Sequence, residues 1–544
     1  MTTQPHTPFC MAWRRAARRC WSAIVPLALL LAALLGGCAV LPQDVLRTAS
    51  QARTDVEHST LARVAAASVA SVAAGPPSSA LRLLPAGDQA FDARIALARS
   101  AEISIDAQYY VIASDLSGRQ FLRELHDAAA RGVRVRLLVD DLYAGGDDGL
   151  LDGLAAHGNV ELRLFNPLPV RTGTPLARVL LSLHQLERVN RRMHNKLFVA
   201  DNSFAVCGGR NIADAYFGRS EPSHFIDMDV LVAGAAVREL SAAFDAFWNG
   251  PNAYPVESIA AARADPAVAR ARFGALMSGL ARFVLPDGAR DSLGRGGIGN
   301  QLAKGHVELQ PAGIRVVADP AEWPRAAADG AGRAEGAVMN ANLELFRAAR
   351  SEVLIVSPYF VPMARMVDAF RDASSGGAQV SVLTNSLATT DEPLVHHGYT
   401  RHRAALLKLG VSLYELMPAS ESHSAETESG ARGSLGRLHA KLAVVDRRWF
   451  YVGSMNMDRR SAHCNTELGL VVDSPALAGE LADLIRRERM PTSFSVGHAP
   501  EGGALQWTYA RDGRQWTLKR EPDSSWAQRL RWSVLSLVVD EDYL

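Results

Sequence analysis

Apolar positions along this chain switch between two periods. Residues 91–99 carry them at helical spacing, and Ile103-Ser104-Ile105-Asp106-Ala107-Gln108-Tyr109-Tyr110 alternates as a strand does. Residues 117–130 are again helical, with Gly132 to close the helix, and residues 133–139 form a strand running into Asp140-Asp141. The same order returns later. Residues 342–350 predict a helix and 353–356 a strand, followed by Ser357-Pro358-Tyr359-Phe360. A helix over 363–374 then closes at Gly376-Gly377, and a strand over 379–383 follows. Strand, helix, strand is the pattern of an α/β layer fold. Two copies of about 160 residues are too long and too few for a solenoid.

Between the copies, residues 256–335 are rich in Ala, Arg and Gly. Helices are expected over 259–282, a loop at Gly294-Arg295-Gly296-Gly297, and an extra strand over 314–318. Residues 420–434, rich in Ser, Glu and Gly, predict a surface loop. Trp507-Thr508-Tyr509 and Trp516-Thr517-Leu518 around Asp512-Gly513 carry a hairpin signal. Residues 526–537 read as an amphipathic segment that either packs on the body or touches a membrane.

The N-terminus reads as a targeting segment. Arg14, Arg15, Arg18 and Arg19 precede an apolar run over 24–35, too short to favour a spanning helix. The run ends in Leu35-Gly36-Gly37-Cys38, which resembles a bacterial lipobox whose Cys38 is lipidated. Ala39, rather than Asp, follows the Cys. By resemblance to lipoprotein sorting this favours the outer membrane of a Gram-negative bacterium, facing the periplasm. The expected division is a signal peptide over 1–37, a tether over 38–85, lobe 1 over 86–255, an inter-lobe insertion over 256–335, lobe 2 over 336–490, and a hairpin and tail over 491–544.

Composition adds two points. The formal charge of +1 falls to near −3 once the four leader arginines are removed, so no polyanion-binding surface is expected. Cys207 and Cys464 are the cysteines left after the leader and Cys38, and carry no disulfide framework. No His/Cys cluster stands at zinc spacing.

The chemistry lies in two matching frames. Of 58 cationic side chains only five are lysines, and two of the five stand in register. His194-Asn195-Lys196 is followed by Asp201, and His439-Ala440-Lys441 by Asp446. Gly208 and Asn211 repeat as Gly453 and Asn456 at the same offsets. Lysine offers a compact ammonium that a planar guanidinium does not replace. The intervening Leu197-Phe198-Val199-Ala200 and Leu442-Ala443-Val444-Val445 read as strand. His and Lys, two apart, are therefore expected on one strand face, able to hold a phosphate. The turns Gly208-Gly209-Arg210-Asn211 and Gly453-Ser454-Met455-Asn456 let the backbone approach closely and add amide donors.

These residues resemble the signature of the phospholipase D superfamily across nearly all of the mature chain, and within it the pattern looks most like bacterial cardiolipin synthases. Thr384-Asn385-Ser386-Leu387-Ala388-Thr389-Thr390-Asp391, Gly398-Tyr399 and Leu413-Tyr414-Glu415-Leu416 are similar to a branch of that group. The resemblance implies two α/β lobes, each a β-sheet flanked by helices, related by a pseudo-twofold with one shared active site. It implies no metal and no cofactor. One His becomes a phosphohistidine and the other works as acid and base, with His194 favoured as nucleophile and His439 as acid/base. Lys196, Lys441, Asn211 and Asn456, with Ser454 beside them, hold the phosphate. Asp227 and Glu467, at comparable places in the two copies, are the expected Nδ1 acceptors. Asp201 and Asp446 are expected to brace the Lys and the strand. Tyr109, Tyr110, Tyr359 and Phe360 either line the cleft or pack in the core, and His396, His397 and Arg401 lie either by the acceptor or on the surface. The implied reaction passes a phosphatidyl group to phosphatidylglycerol, with phosphatidylethanolamine a possible second phospholipid. A phospholipase D-type hydrolase is the alternative, and nucleic acid is not an expected partner.

Overall fold

The computed structural model describes residues 41–42, 44–72, 79–144, 148–170, 174–220, 224–259, 265–322, 336–418, 436–500, 502–511 and 513–522. The expected leader, Cys38, the loop over 420–434 and the amphipathic segment over 526–537 lie outside them. Ten strands belong to lobe 1: β1 Ser79–Leu84, β2 Ser104–Tyr109, β3 Arg134–Asp140, β4 Val160–Phe165, β5 Arg192–Met193, β6 Leu197–Ala200, β7 Phe204–Gly208, β8 Phe225–Ile226, β9 Asp229–Gly234 and β10 Ala253–Pro255. Their counterparts in lobe 2 are β11 Gln310–Ala318, β12 Glu352–Val356, β13 Gln379–Asn385, β14 Ser412–Leu416, β15 Arg437–Leu438, β16 Leu442–Val445, β17 Trp449–Gly453, β18 Asn465–Thr466, β19 Leu468–Asp473 and β20 Ser493–His498.

The two sheets have the same order. Lobe 1 runs β10-β4-β3-β2-β6-β7-β9-β1, with β2, β3 and β4 parallel and the rest antiparallel. Lobe 2 runs β20-β14-β13-β12-β16-β17-β19-β11, again with β12, β13 and β14 parallel. The duplicated unit therefore begins earlier than the helix at which the sequence pattern starts. β1 lies in the expected tether, and β11 in the expected insertion. These two strands pair antiparallel, Ser79 with Ala312 and Leu81 with Gln310, and join the sheets across the pseudo-twofold. The expected hairpin is present as β21 Leu505–Arg511 and β22 Arg514–Leu518, but it is attached to lobe 2 through β20, which the sequence reading missed.

Helices cover the sheet faces where the apolar spacing places them. Leu116–Ala130 is capped by Asp115, whose carboxylate accepts from the Gly118 amide at 3.0 Å. It is followed by Gly132 at φ 99°, a left-handed position that suits glycine. Its counterpart Ala364–Ser375 is followed by Gly377 at φ 94°. Part of the expected tether is folded: the helix Thr60–Ala70 buries Leu61, Val64 and Ala65 in lobe 1's core. Arg136 also reaches the Ser50 carbonyl at 3.0 Å. Of the helices expected over 259–282, Pro266–Met277 is present, and the short helices Val256–Ile259 and Ile298–Ala303 are additions.

Strand alternation decides which core each residue enters. Along β6, Phe198 and Ala200 face lobe 1's outer core, while Leu197 and Val199 face a central core shared by both lobes. Along β16, Ala443 and Val445 face lobe 2's outer core, while Leu442 and Val444 join the central one. The helices Ala235–Trp248 and Pro475–Glu488 also contribute to the shared core. This common apolar layer fixes the two frames relative to each other. Cys207 and Cys464 are both buried thiols. Among the described residues, no helix is long and apolar enough to cross a membrane.

Candidate active site

The two frames lie in breaks between strands, which corrects the expectation that His and Lys project from one continuous strand. β5 leaves lobe 1's sheet and pairs in parallel with β18 of lobe 2, Arg192 with Asn465 and Met193 with Thr466. β15 of lobe 2 pairs in the same way with β8 of lobe 1, Arg437 with Phe225 and Leu438 with Ile226. The chain must turn between each short strand and the long one that follows. His194 donates its backbone N–H to Thr466 at 2.9 Å, and His439 donates to Ile226 at 2.8 Å. Both acceptor carbonyls belong to the residue just before the other lobe's carboxylate.

The carboxylates consequently serve the opposite lobe's histidine. Glu467 lies 2.9 and 3.1 Å from His194 Nδ1, and Asp227 Oδ2 lies 2.6 Å from His439 Nδ1. All four groups are buried. With Nδ1–H donated to a carboxylate, Nε2 is the remaining ring nitrogen for chemistry.

The lysines back these histidines. Lys196 Nζ donates to the His194 carbonyl at 2.6 Å, and Lys441 Nζ donates to the His439 carbonyl. Lys441 Nζ also lies 3.0 Å from His439 Nδ1, but the Nδ1 proton has its better acceptor in Asp227. Burial lowers Lys196 to about 7 against the pull of Glu467, and lowers Lys441 to about 8 against the pull of Asp227. Each ammonium is thus poised to lose its proton unless an anion joins it.

The two pairs differ electrostatically. Burial and then Lys196 push His194 well below its ordinary value, with Lys441, His439 and Arg460 adding to the effect. His439 is lowered by burial and Lys441, but Asp227 and Asp391 pull the other way. Burial would raise Asp227, yet the charges of His439 and Lys441 overcome it and hold the carboxylate at about 2. Glu467 is pushed up to about 7, mainly by burial, with Lys196 opposing. The arrangement favours a neutral His194 and a His439 better able to carry a proton.

Asp201 and Asp446 do not brace the lysines. Asp201 accepts from the amides of Glu102, Ile103 and Ser104 at 3.0, 2.8 and 3.0 Å. Asp446 accepts from those of Arg350, Ser351 and Glu352 at 2.9, 2.7 and 3.0 Å. Both stand in the left-handed region, at φ 47° and 53°, which Asp tolerates better than most residues. They tie the far ends of β6 and β16 to the starts of β2 and β12, so the bracing of the strand is present and that of the lysine is not.

Asn211 receives the Val111 amide at 3.2 Å and donates to the Tyr216 hydroxyl at 2.9 Å, while Asn456 Oδ1 is buried with no hydrogen-bond partner among the described residues. Ser454 donates its hydroxyl to Glu467 and accepts the Leu468 amide at 3.0 Å. Gly209 occupies the matching place in lobe 1. A Cβ there would lie 2.1 Å from the Asp227 carboxylate, so glycine accompanies the shorter acid as serine accompanies glutamate.

Aromatic rings flank the histidines. Tyr110 meets His194 edge-on with centroids 5.1 Å apart, and lies 5.4 Å from Lys196 Nζ. Tyr216 and Phe225, both from lobe 1, each lie 5.0 Å from the His439 ring. Tyr109 and Phe360 pack in the cores, with Tyr109 bonded to Arg94 at 2.8 Å. Burial and the nearby Asp391 raise the half-buried Tyr359. His396 is buried against Glu521 at 2.8 Å and Arg403 at 3.1 Å, which corrects the surface alternative for it. His397 is half-buried and Arg401 exposed on the same helical segment.

Sequence reasoning missed Tyr216, Phe225 and Asp319. Asp319 accepts the Glu467 amide at 3.0 Å and the Val338 amide at 3.1 Å, locking Glu467's backbone to the insertion strand. Phe225 stands two residues before Asp227, a proximity that could have marked it; Asp319 carried no such signal. Among the described residues, no group of three or more His, Cys, Asp or Glu side chains is placed to hold a metal ion.

Two duplicated α/β lobes sharing one buried His/Lys/carboxylate centre define the phospholipase D class. The family model described as "Cardiolipin synthase, PLD-like domain" matches residues 95–248 and 343–489, and the chain belongs to that family as an enzyme of the phospholipase D superfamily. It is 33% identical over 454 residues to cardiolipin synthase C of Escherichia coli, covering 82% of this chain and 93% of that protein. It is 27% identical over 400 residues to cardiolipin synthase 2 of Staphylococcus epidermidis, covering 73% and 65%. The phosphatidylserine synthase structure from Haemophilus influenzae shares the fold, with a TM-score of 0.50 at 13% identity over 87% of this chain and 97% of that one.

Proposed function

We propose that this protein is a phosphatidyltransferase that makes cardiolipin from phosphatidylglycerol and a second phospholipid. The reciprocal pairing of each histidine with the other lobe's carboxylate carries the reading, because it gives two imidazoles of fixed tautomer and unequal basicity in one centre. His194 Nε2 attacks phosphorus, and the bond from phosphorus to the departing alcohol oxygen breaks. His439 gives that oxygen its proton. Neutral His439 then takes the proton of the phosphatidylglycerol hydroxyl, whose oxygen attacks phosphorus and releases His194. Lys196, Lys441, Asn211 and Asn456 hold the non-bridging oxygens. The depressed basicity of His194 suits the nucleophile, and Asp227 beside His439 suits the acid.

The similarity to cardiolipin synthases supports a phospholipid substrate, and lipidation at Cys38 would hold the enzyme at the membrane where such a substrate resides. Purified protein incubated with phosphatidylglycerol, with and without phosphatidylethanolamine, is expected to form cardiolipin. Formation of none overturns the proposal, and phosphatidic acid as the main product selects hydrolysis instead. Labelled palmitate is expected to enter the wild type and not Cys38→Ser; equal labelling rules out the anchor.

A further inference from the structure

The lobes differ at one matching place. In lobe 1 the helix Thr60–Ala70 lies on β7 and β9 beside the helix Gly87–Ser100, with Leu61, Val64 and Ala65 inside the core. In lobe 2 the corresponding surface, among the described residues, is an open groove of about 650 Å³. Ile314, Leu345, Val471 and Trp449 form its apolar lining. Its rim carries Arg315 and Glu344, with side chains 55% and 68% exposed. The frame aspartates fix the correspondence: Glu102 donates its amide to Asp201 as Arg350 donates to Asp446.

We propose that the residues after Pro522, through the apolar stretch over 526–537, dock in this groove as lobe 2's counterpart of the helix Thr60–Ala70. Three observations select this occupant. First, Trp526, Leu530, Val534 and Leu537 recur at i, i+4, i+8 and i+11, one face of a helix. The helix in lobe 1 presents that kind of face.

Second, the charges match a helix running in the opposite direction. In lobe 1, Glu102 accepts the amide and hydroxyl of Thr60 at 3.1 and 2.6 Å, so the helix N-terminus meets a carboxylate. Lobe 2 has Arg350 in that position, which suits a helix C-terminus. Asp540-Glu541-Asp542 follow the apolar stretch after Val538-Val539 and would reach Arg350.

Third, the chain reaches. Glu521 is held by His396 at 2.8 Å and Arg403 at 2.7 Å, beside β14. β14 stands four strand spacings from β17, roughly 19 Å. A twelve-residue helix spans roughly 18 Å, and each extended residue before it adds up to about 3.4 Å.

The test is thiol cross-linking in the full chain. Glu344→Cys combined with Ser533→Cys, treated with a short bifunctional maleimide, is expected to give a link within one chain. A link between two chains would assign the groove to a second copy. No link, together with labelling of position 533 by a lipid-phase probe in phosphatidylglycerol vesicles, would assign the segment to the membrane. Either result overturns the proposal. As a second measurement, removal of residues 523–544 is expected to speed hydrogen exchange over 343–348 by about tenfold while Tyr110 and His194 keep their protection. Unchanged exchange over 343–348 also overturns it.

Discussion

Glu467 of lobe 2 accepts the Nδ1–H of His194 of lobe 1 at 2.9 Å, and Asp227 of lobe 1 returns the contact to His439 of lobe 2 at 2.6 Å. Neither lobe therefore holds a finished histidine by itself. The half-site of each lobe is completed by the short parallel pairings β5–β18 and β8–β15, so the centre is an interface property.

The pH profile tests the unequal pairs. Asp227 raises the basicity of His439, so Asp227→Asn lowers it. The protonated acid is then lost at a lower pH, and the alkaline limb of the kcat profile moves down. Glu467→Gln leaves His439 untouched, so its loss of rate, about a hundredfold or more, comes without that shift. Identical profiles in the two variants would contradict the division of roles.

Lys196 and Lys441 predict a pH-dependent affinity. Lys196 loses its charge above about pH 7 in the free protein, so binding of a non-reactive phosphodiester weakens as pH rises, approaching tenfold per unit. Lys196→Arg binds more weakly at pH 6 but flattens this dependence, because guanidinium does not titrate there. Isothermal titration at pH 6, 7.5 and 9 measures it. The same depressed value acts on folding with the opposite sign: the unfolded chain binds the extra proton between about 7 and 10.5, so this lysine's penalty on stability relaxes as pH rises through that window.

Asp201 and Asp446 are expected to act on stability before chemistry. Asp201→Ala removes the acceptor of three backbone amides and should cost about 2–3 kcal/mol, read as a lower denaturant midpoint. Asp446→Ala, in a less buried place, costs less. The folded fraction of either variant keeps the reactivity of His194 toward diethyl pyrocarbonate. Loss of that reactivity without loss of stability would give the aspartates a direct place in the centre.

Gly209 and Asp227 should behave as a coupled pair. Gly209→Ser places a Cβ 2.1 Å from the Asp227 carboxylate and is expected to cost about 1–3 kcal/mol together with most of the activity. The double variant Gly209→Ser with Asp227→Glu copies the Ser454–Glu467 pair of lobe 2 and should recover part of both losses. Additive effects in the double-mutant cycle would show that the two positions do not interact.

Local periodicity and register determined much of this protein. The helices beside β2 and β12, the strands β2, β3, β12 and β13, and the repeat of His, Lys, Asp, Gly and Asn were legible because each depends on residues within a few turns of one another. The resemblance those motifs carry led to the right family. Distances through space were not legible. Nothing between His194 and Glu467, 273 residues apart, states that they touch. The break that frees each histidine from its strand exists because β5 and β15 pair across the lobes. β1 was hidden in a segment whose composition looks like linker, whereas β11 was legible in part as the extra strand over 314–318; that the two pair across the copies was not legible. The sequence by itself determined which groups are present and in what local order. The tertiary structure decided which carboxylate serves which histidine, because that choice is made by strand pairing and a shared apolar core between distant parts of the chain.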